Sequence, residues 1–218
     1  MFFPDLKGAV SCGVSLNALA VAWHKQHGQE GQGNPLLDPA ICQKMIDEFH
    51  RARKADYSYG GYMENRPALW RGTYLDATES YLHLGVDFNV PAGTRVCPSV
   101  RCTVVYIDHD PPGEKYGWGT RVIVRLKDHD LYAIYAHLDR SLMCQVGDEL
   151  EAETLFGKVG LPSCNGGWFP HLHVQLLIPE VFMVLTYDPK RIDGYGIIKD
   201  IQELSRKFPD PLAYLKPW

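Results

Sequence analysis

Five polar side chains between residues 83 and 173 have the types and the spacing to do chemistry together. They are His83 and Asp87 in the run YLHLGVD, His137 in YAHLD, and His171 with His173 in PHLHVQ. Imidazole and carboxylate groups on strand-like segments are typical of a metal site, and zinc favours this ligand set. Because side chains alternate along a strand, a strand through this run would place His83, Gly85 and Asp87 on one face. The glycine between the two ligands would leave room for a cation or a substrate.

The histidine pair follows the same alternation. A strand would direct His171 and His173 to one face and the two aliphatic residues, Leu172 and Val174, into the core. Two such strands side by side would supply one carboxylate and three histidines. Zinc would take three protein ligands and keep an open position for water. One histidine of the pair, together with His137, would then remain for proton transfer.

Short β-rich runs separated by turn residues position these side chains. We expect strands over residues 81–90, 103–107, 120–126, 131–138, 154–159 and 171–178, which together indicate an antiparallel β domain. Residues 39–55 have helical spacing of apolar positions after Asp38, a possible N-cap, and predict an amphipathic helix. A further short helix is expected over residues 200–207, and the proline-rich end is expected to be irregular coil.

The runs HLGVD, YAHL and PHLHVQ, in this order, resemble the LytM/lysostaphin-type zinc metallopeptidases, peptidase family M23. PAGTRV after the first motif and NGGW before the last also resemble that family. The resemblance covers about residues 80–180 and implies a mainly β fold, an antiparallel β-sheet metallopeptidase domain with N-terminal helices. We expect an N-terminal helical, cleft-flanking extension over 1–75, the metallopeptidase domain over 76–180, and a C-terminal extension packed on it over 181–218.

The same resemblance implies a role for each motif residue. His83, Asp87 and His173 would bind Zn²⁺, and His137 and His171 would be catalytic histidines beside the metal. The implied activity is hydrolysis of peptide bonds by a zinc-activated water, with peptidoglycan stem or cross-bridge peptides as the expected substrate. The two catalytic histidines would transfer protons or stabilise the oxyanion, and the sequence does not assign these tasks between them.

Several residues near the motifs depart from the family pattern or have two interpretations. Gln175 follows the histidine pair where many relatives carry an acid. Trp168 and Phe169 could line a cleft, although packing is the commoner role for an aromatic residue beside proline. The segment before the first motif could present Glu64, Arg66 or Arg71 to a substrate and block the cleft, but we favour an additional layer packed on the sheet.

Composition excludes several classes of function. The chain has 218 residues, 45% of them hydrophobic and 22% charged, which is typical of a folded globular protein. Its 22 basic and 26 acidic residues give a formal charge of -4, so no basic field exists to bind nucleic acid. No apolar run reaches the roughly 18 residues that a membrane span needs. The six scattered cysteines form no C-x-x-C pair and are expected to be thiols rather than disulfides.

The sequence contains no convincing signal peptide. Residues 8–23 are rich in small side chains, but Asp5 cancels the preceding positive charge and polar residues interrupt the run, so we expect a packed helix there. Localisation is therefore expected to be cytoplasmic by default, and periplasmic or extracellular if the protein acts on the cell wall. We expect a monomer, since no heptad repeat or interface stripe is present.

Two other functions stay open. One is a zinc hydrolase of a soluble peptide that is not part of the wall, because fold and metal do not fix the substrate. The other is a non-catalytic binding or regulatory module of the same fold. Such a module would be expected to lose ligands, whereas all five motif positions are intact in this sequence.

Overall fold

A sheet of eight strands forms the centre of the protein, whose computed structural model describes residues 1–28, 33–111, 113–187 and 192–216. The strands of the whole structure are β1 (Ser11–Gly13), β2 (Tyr57–Gly60), β3 (Leu82–His83), β4 (Val86–Asn89), β5 (Arg95–Val96), β6 (Cys102–His109), β7 (Thr120–Leu126), β8 (Tyr132–Leu138), β9 (Glu149–Leu150), β10 (Gly157–Lys158), β11 (Leu172–Leu177) and β12 (Tyr195–Gly196). The order in the large sheet is β1-β2-β4-β11-β8-β7-β6-β9, and β5 with β10 and β3 with β12 form two small sheets. All pairs are antiparallel except β1 with β2. The predicted mainly β, antiparallel fold is confirmed.

Alternation along the strands gives the sheet two different faces. On β7, Val122 and Val124 pack into one apolar cluster with the N-terminal Phe2, whereas Ile123 packs into a second cluster on the opposite face. On β11, Leu172 and Val174 belong to the first cluster, as the alternation predicts. The polar side chains of β11 therefore lie on the second face, where the candidate site is found.

The described residues also form six α-helices. They are α1 (Leu16–His27), α2 (Pro39–Arg53), α3 (Pro67–Trp70), α4 (Pro179–Tyr187), α5 (Ile201–Lys207) and α6 (Pro211–Tyr214). The predicted N-cap of α2 is present, because Asp38 accepts hydrogen bonds from the backbone N–H groups of Ala40 and Ile41 at 2.8 and 3.4 Å. None of the helices in the described ranges is long and apolar enough to cross a membrane.

Several predicted boundaries differ from the structure. The expected strand over 81–90 is divided between β3 and β4, because the backbone N–H of Leu84 donates to Gly194 O at 2.8 Å and β3 pairs with β12 instead of joining the large sheet. The helix expected over 8–23 begins only at Leu16, after strand β1. The prediction of irregular coil at the C-terminus is wrong, since Asp210 caps α6 through Leu212 N. The strand expected over 154–159 is reduced to β10.

The first 75 residues contribute more than helices. Phe2 and Phe3 are buried in the main core, and β2 pairs with β4 so that Tyr59 lies opposite Phe88 and Gly60 opposite Asp87. The domain division at residue 75 remains a prediction, but the large sheet extends across it. All six cysteines lie in the described residues and are free thiols.

Candidate active site

Three of the predicted residues converge on the second face of the sheet. β4 and β11 are neighbours, and their register places His173 directly opposite Asp87. His173 Nδ1 is 3.0 Å from Asp87 Oδ1 and 3.0 Å from His83 Nε2, and His83 Nε2 is 3.2 Å from Asp87 Oδ1. All three side chains are buried. The residues therefore direct two ring nitrogens and one carboxylate oxygen at a common point.

This donor set fits a zinc ion. The ligand atoms of His83, Asp87 and His173 all lie within 4.8 Å of one another. Tetrahedral zinc with bonds of about 2.0–2.2 Å would space its ligand atoms about 3.3–3.6 Å apart, so a small outward movement would accommodate the ion. Two imidazoles and one carboxylate also match a common catalytic zinc set, which leaves a fourth position open.

The hydrogen bonds of the two ligand-type histidines fix their tautomers. His83 Nδ1 lies 3.0 Å from Gly61 O and donates to it, which leaves Nε2 free. His173 uses the opposite nitrogens: Nε2 donates to Gln175 Oε1 at 3.0 Å, which leaves an unprotonated Nδ1 facing Asp87 and His83. Gln175 is oriented in turn by its own amide, which donates to Asp193 O at 3.3 Å. Outer partners of this kind orient metal ligands and raise their basicity.

The protonation states also suit a cation. Burial lowers the pKa of His83 to about 4, so its imidazole is neutral at neutral pH. Burial acts to raise the pKa of Asp87, but its electrostatic interactions with His83 and with the Arg66 guanidinium outweigh burial and hold that pKa well below its usual range. The Arg66 guanidinium is fully buried and donates from Nη1 to Asp87 Oδ2 at 2.5 Å. A neutral His83 imidazole and an ionised Asp87 carboxylate are therefore available at neutral pH.

Glycine at position 85 serves a different purpose from the one predicted. A Cβ atom there would lie 2.7 Å from the His173 ring and 2.5 Å from Val174 O. The space beside Gly85 is therefore filled by the ring of His173 rather than left for a cation or a substrate. The glycine allows the histidine to reach Asp87.

His137 and His171 lie next to this group. Their rings are 4.4 Å apart, and His171 Nε2 is 3.6 Å from Asp87 Oδ1. Each ring is held by a hydrogen bond from Nδ1 to a backbone carbonyl. His137 Nδ1 donates to Asn165 O at 2.9 Å, and His171 Nδ1 donates to Phe169 O at 2.8 Å. Burial lowers the pKa of both histidines. Each therefore keeps an unprotonated Nε2 at neutral pH.

His137 also has an unusual backbone. Its φ angle is 65°, in the left-handed region that residues other than glycine seldom adopt. Its N–H donates to Trp118 O at 2.9 Å, and its carbonyl accepts from Gly160 N at 2.8 Å, so both neighbours hold this conformation. Backbone strain of this kind is concentrated at functional sites.

Residues 81–182 match the model of peptidase family M23, and all five site residues lie within this range. This range, 102 of the 218 residues, is therefore similar to that family, and we refer to it below as the M23 domain. No curated protein matches the sequence.

Solved structures similar to this chain include several peptidases. The catalytic domain of the antimicrobial peptidase lysostaphin from Staphylococcus simulans is 22% identical, with 72% of this chain and 91% of that chain covered and a TM-score of 0.49. A variant of the catalytic domain of the prophage-encoded M23 protein EnpA from Enterococcus faecalis is 23% identical, with 56% and 82% covered and a TM-score of 0.43. A zinc-containing peptidase from Vibrio cholerae is 21% identical, with 45% and 28% covered and a TM-score of 0.38.

A cavity of about 660 Å³ opens above the histidines of the M23 domain. Its aromatic walls come partly from the domain and partly from the flanking segments: Trp70, Tyr74, Tyr116, Trp118, Trp168 and Tyr195. Trp168 also packs, since its indole N–H donates to Gly117 O at 2.7 Å. Phe169 is buried and stacks on His171 with 4.4 Å between ring centroids. Of the two aromatic residues considered from the sequence, Trp168 therefore lines the cavity and Phe169 packs.

Two site residues from the flanking segments were not recognised from the sequence as neighbours of the ligand group. Arg66 was considered as a substrate contact but is buried against Asp87. Tyr195, on β12, lies opposite His83 in the strand register, with 5.2 Å between their rings. Both residues lie outside the M23 match, and neither belongs to a motif with recognisable spacing. Only the pairing of distant segments brings them to the site.

Proposed function

We propose that this protein is a zinc-dependent metallopeptidase that hydrolyses peptide bonds in peptidoglycan stem or cross-bridge peptides. One observation carries the proposal: three ligand atoms converge beside two histidines that each present an unprotonated Nε2, and the four histidines of this group line one cavity. The choice of peptidoglycan rests on the family resemblance. A wall substrate would require the protein to act in the periplasm or outside the cell.

The zinc ion would be held by His83 Nε2, Asp87 Oδ1 and His173 Nδ1, the three atoms that face one another. Zinc bound there would supply Lewis-acid chemistry, because it lowers the pKa of a bound water to about 7 and polarises a carbonyl group. Gly61 O and Gln175 Oε1 keep the two imidazoles in the tautomers that this binding needs.

His137 and His171 would move the protons of the hydrolysis. With Nδ1 bonded to a backbone carbonyl, each ring can accept a proton only at Nε2, the nitrogen that faces the site. Their lowered pKa values keep them neutral and ready to accept that proton at neutral pH. The proton taken from the attacking water is then returned to the nitrogen of the leaving amine. The aromatic walls would hold the peptide while this occurs.

The test compares the zinc-loaded protein with His137→Ala on purified cross-linked peptidoglycan, followed by mass spectrometry of the released products. We expect peptide fragments with new amino termini from the parent protein and at least a hundredfold less product from the variant. The variant is expected to bind zinc as the parent does, because His137 is not among the three converging ligands. A chelator should abolish product formation, and added zinc should restore it.

Other outcomes would overturn parts of the proposal. Release of no fragments from peptidoglycan, with cleavage of soluble peptides, would replace the wall substrate by a soluble one. Zinc binding without hydrolysis of either substrate would indicate a binding or regulatory module. Failure to bind zinc at all would contradict the metallopeptidase mechanism itself.

A further inference from the structure

The most deeply buried charge near the site is Arg66, whose side chain has no exposed surface. It lies in the segment before the M23 match, yet its guanidinium contacts a side chain at the centre of that domain. Nη1 donates to Asp87 Oδ2 at 2.5 Å, and Nε donates to Glu64 Oε2 at 2.8 Å. One arginine therefore joins the candidate metal ligand to an acidic residue of the flanking segment.

The two oxygens of Asp87 consequently have different partners. Oδ2 is occupied by Arg66, whereas Oδ1 faces His83 Nε2 at 3.2 Å and His173 Nδ1 at 3.0 Å. A planar guanidinium that holds one carboxylate oxygen fixes the plane of that carboxylate as well as its position. Only one oxygen then remains in the direction where a metal ion would bind.

The outer end of this chain is also anchored. Glu64 Oε1 accepts hydrogen bonds from the Ser15 hydroxyl and from Asn17 N, the latter at 3.2 Å. Ser15 is the N-cap of α1, so the chain of contacts extends from the first turn of that helix to Asp87. The backbone is fixed too, because Arg66 N donates to Tyr81 O at 2.9 Å.

The local sequence makes room for the guanidinium. Gly61 has a φ angle of 96°, and a Cβ atom there would lie 1.6 Å from Arg66 Nη2. The same glycine supplies the carbonyl that accepts from His83 Nδ1. The loop that includes residues 61–66 therefore orients two of the three candidate ligands, His83 through Gly61 and Asp87 through Arg66.

We propose that Arg66 is a positioning residue of the metal site, which restricts Asp87 to binding zinc through Oδ1 alone. Glu64 completes this unit by holding the second side of the guanidinium. The site therefore needs residues 61–66, outside the M23 match, to reach full zinc affinity. The inference rests on the proposed function only in so far as the three converging side chains bind zinc.

The test measures zinc affinity by competition with a chelator, using the full chain and the variants Arg66→Met and Arg66→Lys. We expect binding about 10- to 100-fold weaker for Arg66→Met, the usual effect of removing an outer partner of a metal ligand. Arg66→Lys should be weakened too, since one ammonium group cannot reproduce the fork that contacts Asp87 and Glu64 together.

A second measurement separates positioning from general stability. Cobalt(II) in place of zinc reports coordination through its visible spectrum, which weakens when a carboxylate binds through both oxygens and the coordination number rises. We expect this change in both Arg66 variants. The matched control is Arg95→Met, which removes another arginine paired with a carboxylate, Asp5, at 2.6 and 2.7 Å on a strand outside the large sheet. It should lower the melting temperature and leave the zinc affinity unchanged.

The outcomes are distinguishable. If the unmodified protein binds no zinc, the proposed function fails. If it binds zinc and both Arg66 variants match it within about twofold, with unchanged cobalt spectra, the positioning role is wrong while the proposed function stands. If Arg66→Met does not fold, Arg66→Lys decides, because it keeps a buried positive charge beside Asp87 and its secondary structure can be verified by circular dichroism.

Discussion

Individual hydrogen bonds decide which atoms of the site are available, and Gln175 shows this most directly. It is fully buried on β11, accepts from His173 Nε2 with its oxygen and donates to Asp193 O with its nitrogen. The neutral amide satisfies both a donor and an acceptor, which a carboxylate at this position could not do. This explains how the chain accommodates glutamine at a position where the family resemblance leads us to expect an acid.

We therefore expect Gln175→Leu to weaken zinc binding about 10- to 100-fold, because His173 loses the acceptor that fixes its tautomer. The unsatisfied ring N–H should also cost about 1–3 kcal/mol of folding free energy. Competition with a chelator and thermal unfolding measure the two effects. Gln175→Glu keeps an acceptor for His173, so its zinc affinity should stay close to that of the parent. Equal affinity in Gln175→Leu would show that the tautomer is fixed by other means.

At the residue scale, the sequence predicted which side chains meet but not what holds them. Period-two alternation grouped His83 and Asp87 with the two histidines of the HLH motif, and the family resemblance singled out His173 as the third ligand. Arg66 could not be assigned to this group from the sequence. Nothing in its local sequence distinguishes an arginine that contacts substrate from one that is buried against a carboxylate. Its position depends on the pairing of the segment before β3 with that strand, a contact that local patterns do not contain.

At the scale of elements, the break between β3 and β4 is the feature that shapes the site. The sequence indicated one strand through this region, and β7 and β8 were predicted almost to the residue because each lies wholly within the large sheet. β3 instead turns away to pair with β12, which brings Tyr195 opposite His83. Short strands whose partners come from distant segments are the ones that a local pattern misplaces.

We expect Gly85→Ala, at this break, to disturb both folding and metal binding. The added methyl group would lie 2.7 Å from the His173 ring and 2.5 Å from a backbone carbonyl, so the ring or the strand must move. Overpacking of this kind costs about 1–3 kcal/mol. Thermal unfolding without metal should show the loss of stability, and zinc titration should show weaker binding.

The control for this change is Gly13→Ala on β1. A methyl group there meets nothing within 4 Å, and its φ angle is not in the left-handed region. Both measurements should stay close to those of the parent. If Gly85→Ala behaves like Gly13→Ala, the close contact between this glycine and His173 does not determine the geometry of the site.

At the scale of the whole molecule, the M23 domain is completed by segments on either side of it. Strands β1 and β2 extend the large sheet beyond β4. The rings of Phe2 and Phe88 lie 5.3 Å apart, and those of Phe2 and Tyr135 lie 5.7 Å apart. The sequence suggested an appended helical region because the helices of this segment have clear periodicity. The pair Phe2 and Phe3 and the short strands β1 and β2 have no local pattern that predicts packing into a distant core.

The last prediction tests this integration. Phe2→Ala should destabilise the protein by about 3–5 kcal/mol, because it leaves a cavity among aromatic rings in the main core. Denaturant unfolding can be followed by both circular dichroism and tryptophan fluorescence. Both probes should show a single transition, at a lower denaturant concentration in Phe2→Ala than in the parent, because the N-terminal segment and the M23 domain share this core. Val10→Ala lies in the same segment but is exposed. Its free energy of unfolding should stay within about 0.5 kcal/mol of the parent value. Two separate transitions, with only one shifted by Phe2→Ala, would instead mean that the first 75 residues fold as a unit apart from the M23 domain. The contacts from Gly61 and Arg66 to the candidate metal site would then join two independently stable parts.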